Sequence, residues 1–226
     1  MGEIIQFPSN GTDGQGYLAT PPSGSGPGVV VIQEWWGLVD HIKDVCDRFA
    51  LEGFTALAPD LYRGEVSREP DEAGKLMMAM ALDRAAKDMS GAIDELVRRG
   101  SKNGVGVVGF CMGGGLALAL ACQRPDKVLA VAPFYGAVPW PNYQPDYSKI
   151  TAKVRGHYAE LDDWMTPEKA RELEKTLTDL GKDARITIYP GTQHAFFNDT
   201  RPEVFNPQAS QSAWKDTVDL FRTTLS

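Results

Sequence analysis

The sequence predicts an α/β fold: a mostly parallel central sheet with helices on both faces and a β-hairpin at its N-terminal end. Three observations predict it. From about residue 29 onward, short apolar runs alternate with helical patterns, the order that builds repeated βα units. The runs are rich in β-branched residues and bounded by Gly, Pro or Asp, as strands buried on both faces are. Ahead of them, two strand-like segments flank a turn-rich stretch.

The hairpin arms are expected at residues 3–7 and 15–19, around Ser9-Asn10-Gly11-Thr12-Asp13-Gly14. The strand runs that follow are Gly28–Ile32 and residues 54–58, 105–109, 128–132, 151–158 and 185–189. Helical patterns occupy residues 39–52, 71–99, 114–123, 167–180 and 208–225. In the last of these, Trp214, Val218, Leu220 and Phe221 recur at roughly helical spacing and form one apolar face. Pro167 suits the first turn of its helix. Residues 21–28 are a Gly/Pro/Ser connector and residues 138–148 a Pro/Tyr/Asn-rich loop. Both are too short to be domain boundaries, so residues 1–226 read as a single domain.

Twenty-three Lys and Arg against 30 Asp and Glu leave a net charge of −7, which disfavours nucleic acid and anionic membranes as partners. The opening Met1-Gly2-Glu3-Ile4 lacks the charged-then-apolar pattern of a secretory leader, and no run is long enough to span a bilayer. Three cysteines without paired spacing argue against a disulfide framework. A cytoplasmic, reducing setting is the expectation.

The most informative segment is Val105-Gly106-Val107-Val108-Gly109-Phe110-Cys111-Met112-Gly113-Gly114-Gly115. An apolar strand runs into Gly-x-Cys-x-Gly and then into a helix-forming stretch, the context of a nucleophile on a sharp strand-to-helix turn. The glycines remove Cβ atoms where strand and helix approach. The sulfur then stands exposed at a helix N-terminus, whose dipole favours a negative charge. A cysteine in an apolar run is more often structural, and Cys46 and Cys122 are read as helix core residues. Gly104-x-Gly106-x-x-Gly109 formally matches a dinucleotide fingerprint, but these glycines lie within the strand instead of following it.

His194 lies in a Gly-containing loop after the last strand, Tyr189-Pro190-Gly191-Thr192-Gln193-His194, where a general base would be carried. An orienting carboxylate belongs after the preceding strand, in Ala159-Glu160-Leu161-Asp162-Asp163-Trp164. Aligning the strand end favours Asp162; counting back from Pro167 favours Asp163. Asp162 is the expected partner. Glu34, in Gln33-Glu34-Trp35-Trp36-Gly37, follows the third strand directly and is expected in the site. The Trp35 and Met112 amides are the candidate oxyanion donors.

These segments, with Ala58-Pro59-Asp60-Leu61-Tyr62, together resemble the dienelactone hydrolase (carboxymethylenebutenolidase) family along nearly the whole chain. The resemblance implies an α/β-hydrolase fold and a Cys-His-Asp triad at Cys111, His194 and Asp162. It also implies that Glu34 engages the thiol in the resting enzyme and moves when substrate binds. The family's dienelactone-cleaving members hold the substrate carboxylate with arginines, one of them four positions after the histidine. Here that position is Asn198; Arg201 lies just beyond, and Arg63 and Arg68 precede the long helix without a clear match. Dienelactone itself therefore does not follow as the substrate.

The expected activity is hydrolysis of a small ester or lactone through a thioester, with no metal and no cofactor. Trp36, Trp164, Phe196, Phe197 and Asn198 are the tentative substrate contacts. A binding protein that kept the fold without turnover, and a nucleotide-dependent α/β enzyme, are the rival readings. Oligomeric state is not legible.

Overall fold

The alternation of side chains along the strands explains how the chain is layered. In Gly28–Ile32, Val29 and Val31 face one apolar cluster while Val30 and Ile32 face another, and none of the four is exposed. A strand apolar on both faces needs helices on both sides. The computed structural model describes residues 2–225, so Met1 and Ser226, the ends of the single-domain reading, lie outside the described residues.

Eight strands form one sheet: β1 (Glu3–Ser9), β2 (Thr12–Ala19), β3 (Gly28–Ile32), β4 (Thr55–Pro59), β5 (Val105–Phe110), β6 (Val128–Phe134), β7 (Lys153–Ala159) and β8 (Ala184–Tyr189). Their order is β1-β2-β4-β3-β5-β6-β7-β8; β1–β2 and β2–β4 pair antiparallel and the rest parallel. Helices α1 (Asp40–Leu51) and α6 (Pro207–Leu225) pack on one face around Phe49, Phe54 and Phe221. On the other lie α3 (Leu82–Arg98), α4 (Met112–Gln123) and α5 (Pro167–Asp179). Among the described residues, no helix is long and apolar enough to cross a membrane.

Two expectations need correction. The hairpin turn is only Asn10-Gly11, both at positive φ (44° and 96°), and Ser9 pairs directly with Thr12. A two-residue Asn-Gly turn matches strand twist, so the strand resumes earlier than the wide turn had suggested. The long helix expected over residues 71–99 is two helices, α2 (Pro70–Ala79) and α3, separated by Met80 and Ala81 in extended conformations. Neither Gly nor Pro marks the break. Tertiary contacts account for it: Leu76, Met77 and Met80 pack onto the core, and Trp140 Nε1 donates to the Met77 carbonyl (3.3 Å).

The chain crosses from β3 to β4 in one direction and from β4 to β5 in the other. In parallel sheets such a reversal opens a crevice at the carboxyl ends of the strands. Glu34 follows β3 and Cys111 follows β5, its hydrogen-bonded neighbour, so the topology itself brings these two together.

Candidate active site

Cys111 makes the whole turn between β5 and α4, at φ 56° and ψ −122°. Such a conformation costs a non-glycine residue roughly 1–3 kcal/mol and persists only when the surroundings enforce it. The Cys111 amide donates to Phe134 O (3.1 Å), and Gly114 N donates to Cys111 O (2.9 Å). The flanking glycines are sterically required. A Cβ on Gly109 would stand 2.0 Å from Gly113 O, and one on Gly113 would stand 2.4 Å from Gln33 O. The sulfur is less open than the turn had suggested, with Cys111 only 9% exposed. Burial in α1 raises the Cys46 pKa, and burial lifts Cys122 to about 11.

His194 Nδ1 lies 2.6 Å from Asp162 Oδ2, which leaves Nε2 free of the carboxylate. The other Asp162 oxygen accepts from the Trp164 and Met165 amides, each at 2.9 Å. Asp162 is 3% exposed, whereas Asp163 points to solvent. Burial opposes charge on Asp162, but its bonds to His194 and the two amides outweigh that and lower its pKa. Burial likewise opposes protonation of His194. Hydrogen bonds to Asp162 and Cys111, and the attraction of both, overcome it and raise the imidazole to about 10.

Glu34 is 1% exposed. Its Oε2 accepts from Asn198 Nδ2 (2.9 Å) and its Oε1 from the Tyr135 hydroxyl (3.4 Å). The resemblance had placed this carboxylate on the thiol; in the structure its hydrogen bonds go to these two residues instead. Asn198, expected against substrate, is 2% exposed and clamps Glu34, while its own oxygen accepts from Thr200 N and Oγ1 (3.1 and 2.6 Å). Among the described residues, neither the Trp35 nor the Met112 amide donates a hydrogen bond.

The aromatic candidates divide. Trp164 stands 36% exposed with its ring edge-on to His194, centroids 5.4 Å apart, and Trp36 is half-buried beside a surface cleft. Phe196 and Phe197, expected against substrate, lie deeper. They are 0% and 1% exposed and pack in the core with Phe110, Phe134 and Tyr135, because the loop turns inward directly after His194. Arg63 lies beside Asp88 and the Asp13 carbonyl at the hairpin.

Sequence reasoning passed over two tyrosines. Tyr135, at φ 36° just past β6, is fully buried, bonds Glu34 and lies edge-on to His194 with centroids 5.1 Å apart. Tyr62 places its hydroxyl 3.5 Å from Met112 Sδ. Burial raises both phenols, and the proximity of Cys111 adds to each. The one sequence signal for Tyr135 was its place at a strand's carboxyl end. Among the described residues, no group of three His, Cys, Asp or Glu side chains could hold a metal ion.

The sequence model of the dienelactone hydrolase family matches residues 15–225. The chain belongs to this family. A protein of Aquifex pyrophilus named usf is 40% identical, with all of both chains covered. One of Aquifex aeolicus, provisionally named a carboxymethylenebutenolidase, is 36% identical with the same coverage. Among solved structures, a provisionally named dienelactone hydrolase of Klebsiella pneumoniae superposes with a TM-score of 0.88 at 25% identity, covering 98% of each chain. A dienelactone hydrolase-like promiscuous phosphotriesterase from metagenomic libraries superposes at 0.86 and 22% identity, over 99% of this chain and 98% of that one, and bears on the fold alone. The protein is thus a hydrolase of small esters or lactones on an α/β-hydrolase fold.

Proposed function

We propose that this dienelactone hydrolase family member works through Cys111, His194 and Asp162 by way of a thioester. The observation that carries the reading is the 2.6 Å Asp162–His194 bond, which engages Nδ1 and leaves Nε2 free of the carboxylate. The Cys111 thiolate attacks the ester carbonyl carbon, and the oxyanion takes the Trp35 and Met112 amide protons as hydrogen bonds. When the C–O bond breaks, the electron pair leaves with the alkoxide, and His194 Nε2–H protonates it. The sulfur in the thioester carries no charge, so the imidazole loses one of the influences that held its proton. Neutral His194 then takes a proton from water, the hydroxide adds to the thioester, and collapse releases the acid and the thiolate. A lactone follows the same steps, with the leaving hydroxyl tethered to the product acid. Asp162 keeps its charge throughout and orients the ring. A reducing, cytoplasmic setting suits such a thiol.

The test is acid-quenched turnover of an aryl acetate followed by intact-mass and peptide analysis. An acetyl adduct on Cys111, with both adduct and turnover lost in Cys111→Ala, is the expected result. Full turnover by Cys111→Ala would sink the assignment.

A further inference from the structure

In the proposed reaction His194 protonates the leaving oxygen, which must then sit within hydrogen-bond reach of that ring, about 3 Å. Whatever the oxygen carries lies on the surface around the imidazole. Two aromatic rings flank it: Tyr135, with centroids 5.1 Å apart, and Trp164, at 5.4 Å with 75° between the planes. Tyr135 is fully buried, so of the two only Trp164 can meet a ligand. Its indole N–H has no partner among the described residues, and Leu161 on the same loop is 57% exposed. Single apolar side chains at a surface are ordinary, but this tryptophan stands against the general base. The ring is also held in place. Asp162 Oδ1 accepts from Trp164 N (2.9 Å), and Lys169 Nζ donates to Trp164 O (2.7 Å). The loop is braced to the one carrying His194, through Leu161 N to Thr192 O and Gly191 N to Glu160 Oε2, each 2.8 Å. A wall fixed before binding costs a ligand less ordering than one that must form.

We infer that Trp164 is the wall of a subsite for the alcohol portion of the substrate, and that this subsite selects a flat, uncharged aromatic alcohol. The inference rests on the reading of His194 as proton donor to the leaving group. An aromatic ring against the indole gains the edge and face attraction of paired π-systems as well as buried area, which a short alkyl group lacks. The charges nearby disfavour an anion. Across residues 160–169 the exposed charged groups are Glu160, Asp163 and Glu168 against Lys169 alone. A carboxylate on the alcohol would meet that excess without a free cation to pair it. The acyl portion is placed elsewhere, because its carbonyl must reach Cys111 and the Trp35 and Met112 amides. Trp164 therefore acts on one side of the scissile bond only.

The test compares three neutral esters: benzyl acetate, with the ring on the alcohol, ethyl phenylacetate, with it on the acyl side, and ethyl acetate, without one. Trp164→Ala should cut kcat/KM for benzyl acetate about tenfold and leave the other two within about twofold, and Trp164→Phe should keep most of the benzyl acetate activity. Exposed Trp164 can be removed without opening the core. Equal losses on all three esters, or no loss on benzyl acetate, overturn the inference. A second readout needs no turnover. In Cys111→Ala labelled with ¹⁵N-tryptophan, benzyl alcohol should shift the Trp164 indole resonance saturably, that resonance being the one missing from Trp164→Phe. Ethanol and 4-(hydroxymethyl)benzoate should bind about tenfold more weakly. A Trp164 resonance that ignores benzyl alcohol, or answers all three alcohols equally, also overturns it. The outcomes separate the two readings. If Cys111→Ala hydrolyses the esters at full rate while Trp164→Ala remains selective for the benzyl ring, the thioester fails and this inference stands. If Cys111→Ala is inactive and Trp164→Ala is unselective, this inference alone fails.

Discussion

His157 and His194 are both taken largely out of water, and the protein shifts them in opposite directions. His157 sits within β7, 0% exposed, with Tyr189 Oη 2.9 Å from Nδ1 and Thr217 Oγ1 3.1 Å from Nε2. Burial drives it down to about 4, only partly opposed by Asp216 at 4.0 Å. His194 stands past the sheet edge with its side chain 29% exposed, where Asp162 and Cys111 overcome its burial and raise it to about 10. The difference lies in the partners. Neutral hydroxyls satisfy an imidazole without compensating a charge, whereas a buried carboxylate at 2.6 Å does compensate it. Strand interiors are committed to ladder bonds and packing. Only the loops beyond the strand ends can bring a carboxylate, an imidazole and a thiol from three elements to one point.

The largest expected effect breaks the His194 side of the comparison. Asp162→Asn keeps the shape but removes the compensating charge, and kcat should fall by about 10³–10⁴-fold. Asp163→Asn, at an exposed position, should stay within about twofold, as surface substitutions do. A larger loss in the Asp163 variant would reverse the assignment.

A pH series reads both histidines. The His194 pKa is raised above 6.5, so its stabilisation is complete below pH 6.5 and is lost as pH rises through about 10. Free-enzyme kcat/KM should therefore show an alkaline limb near pH 10, not one near 6.5. The His157 pKa is lowered, so the unfolded chain takes up a proton that the folded one refuses. Stability should then decline as pH falls from 6.5 towards 4. NMR titration showing His157 protonating near 6.5 would contradict burial as the dominant influence there.

The smallest effect sharpens the contrast through Glu34. Asn198→Ala removes one hydrogen bond from this buried carboxylate and frees it to turn towards the thiol. Losing roughly 1 kcal/mol of restraint corresponds to about a fivefold shift in position. Iodoacetamide should label Cys111 before Cys46 or Cys122 in the wild type without substrate, and about fivefold more slowly in the variant. Faster or unchanged labelling would mean that Glu34 does not compete for the thiol.

Much of this was legible in the sequence, and the reasons are local. Val29–Ile32 and Val105–Val108 announce buried parallel strands because burial on both faces leaves no polar alternation. Gly109 and Gly113 mark the Cys111 turn because backbone atoms occupy the space a Cβ would need. Asp162 was separable from Asp163 only by position after β7. The distance to His194 is a contact between elements 32 residues apart.

Other features depend on partners that no short segment carries. The α2–α3 break at Met80 has no Pro or Gly behind it and follows from packing of Leu76, Met77 and Trp140. The pairing of Glu34 with Asn198 spans 164 residues, and neither side chain's sequence neighbourhood announces it. The depth of Phe196 and Phe197 came from a loop turning inward, where sequence position suggested a pocket wall. The sequence alone determined strand faces, the glycine-flanked cysteine turn and the chain order of the proposed nucleophile, acid and base, because period, glycine placement and chain order are properties of neighbours along the chain. The tertiary structure decided which polar groups are paired, which are left open and how each imidazole titrates. Hydrogen bonds and desolvation depend on what lies within a few ångströms in space, and that is set only when distant segments pack.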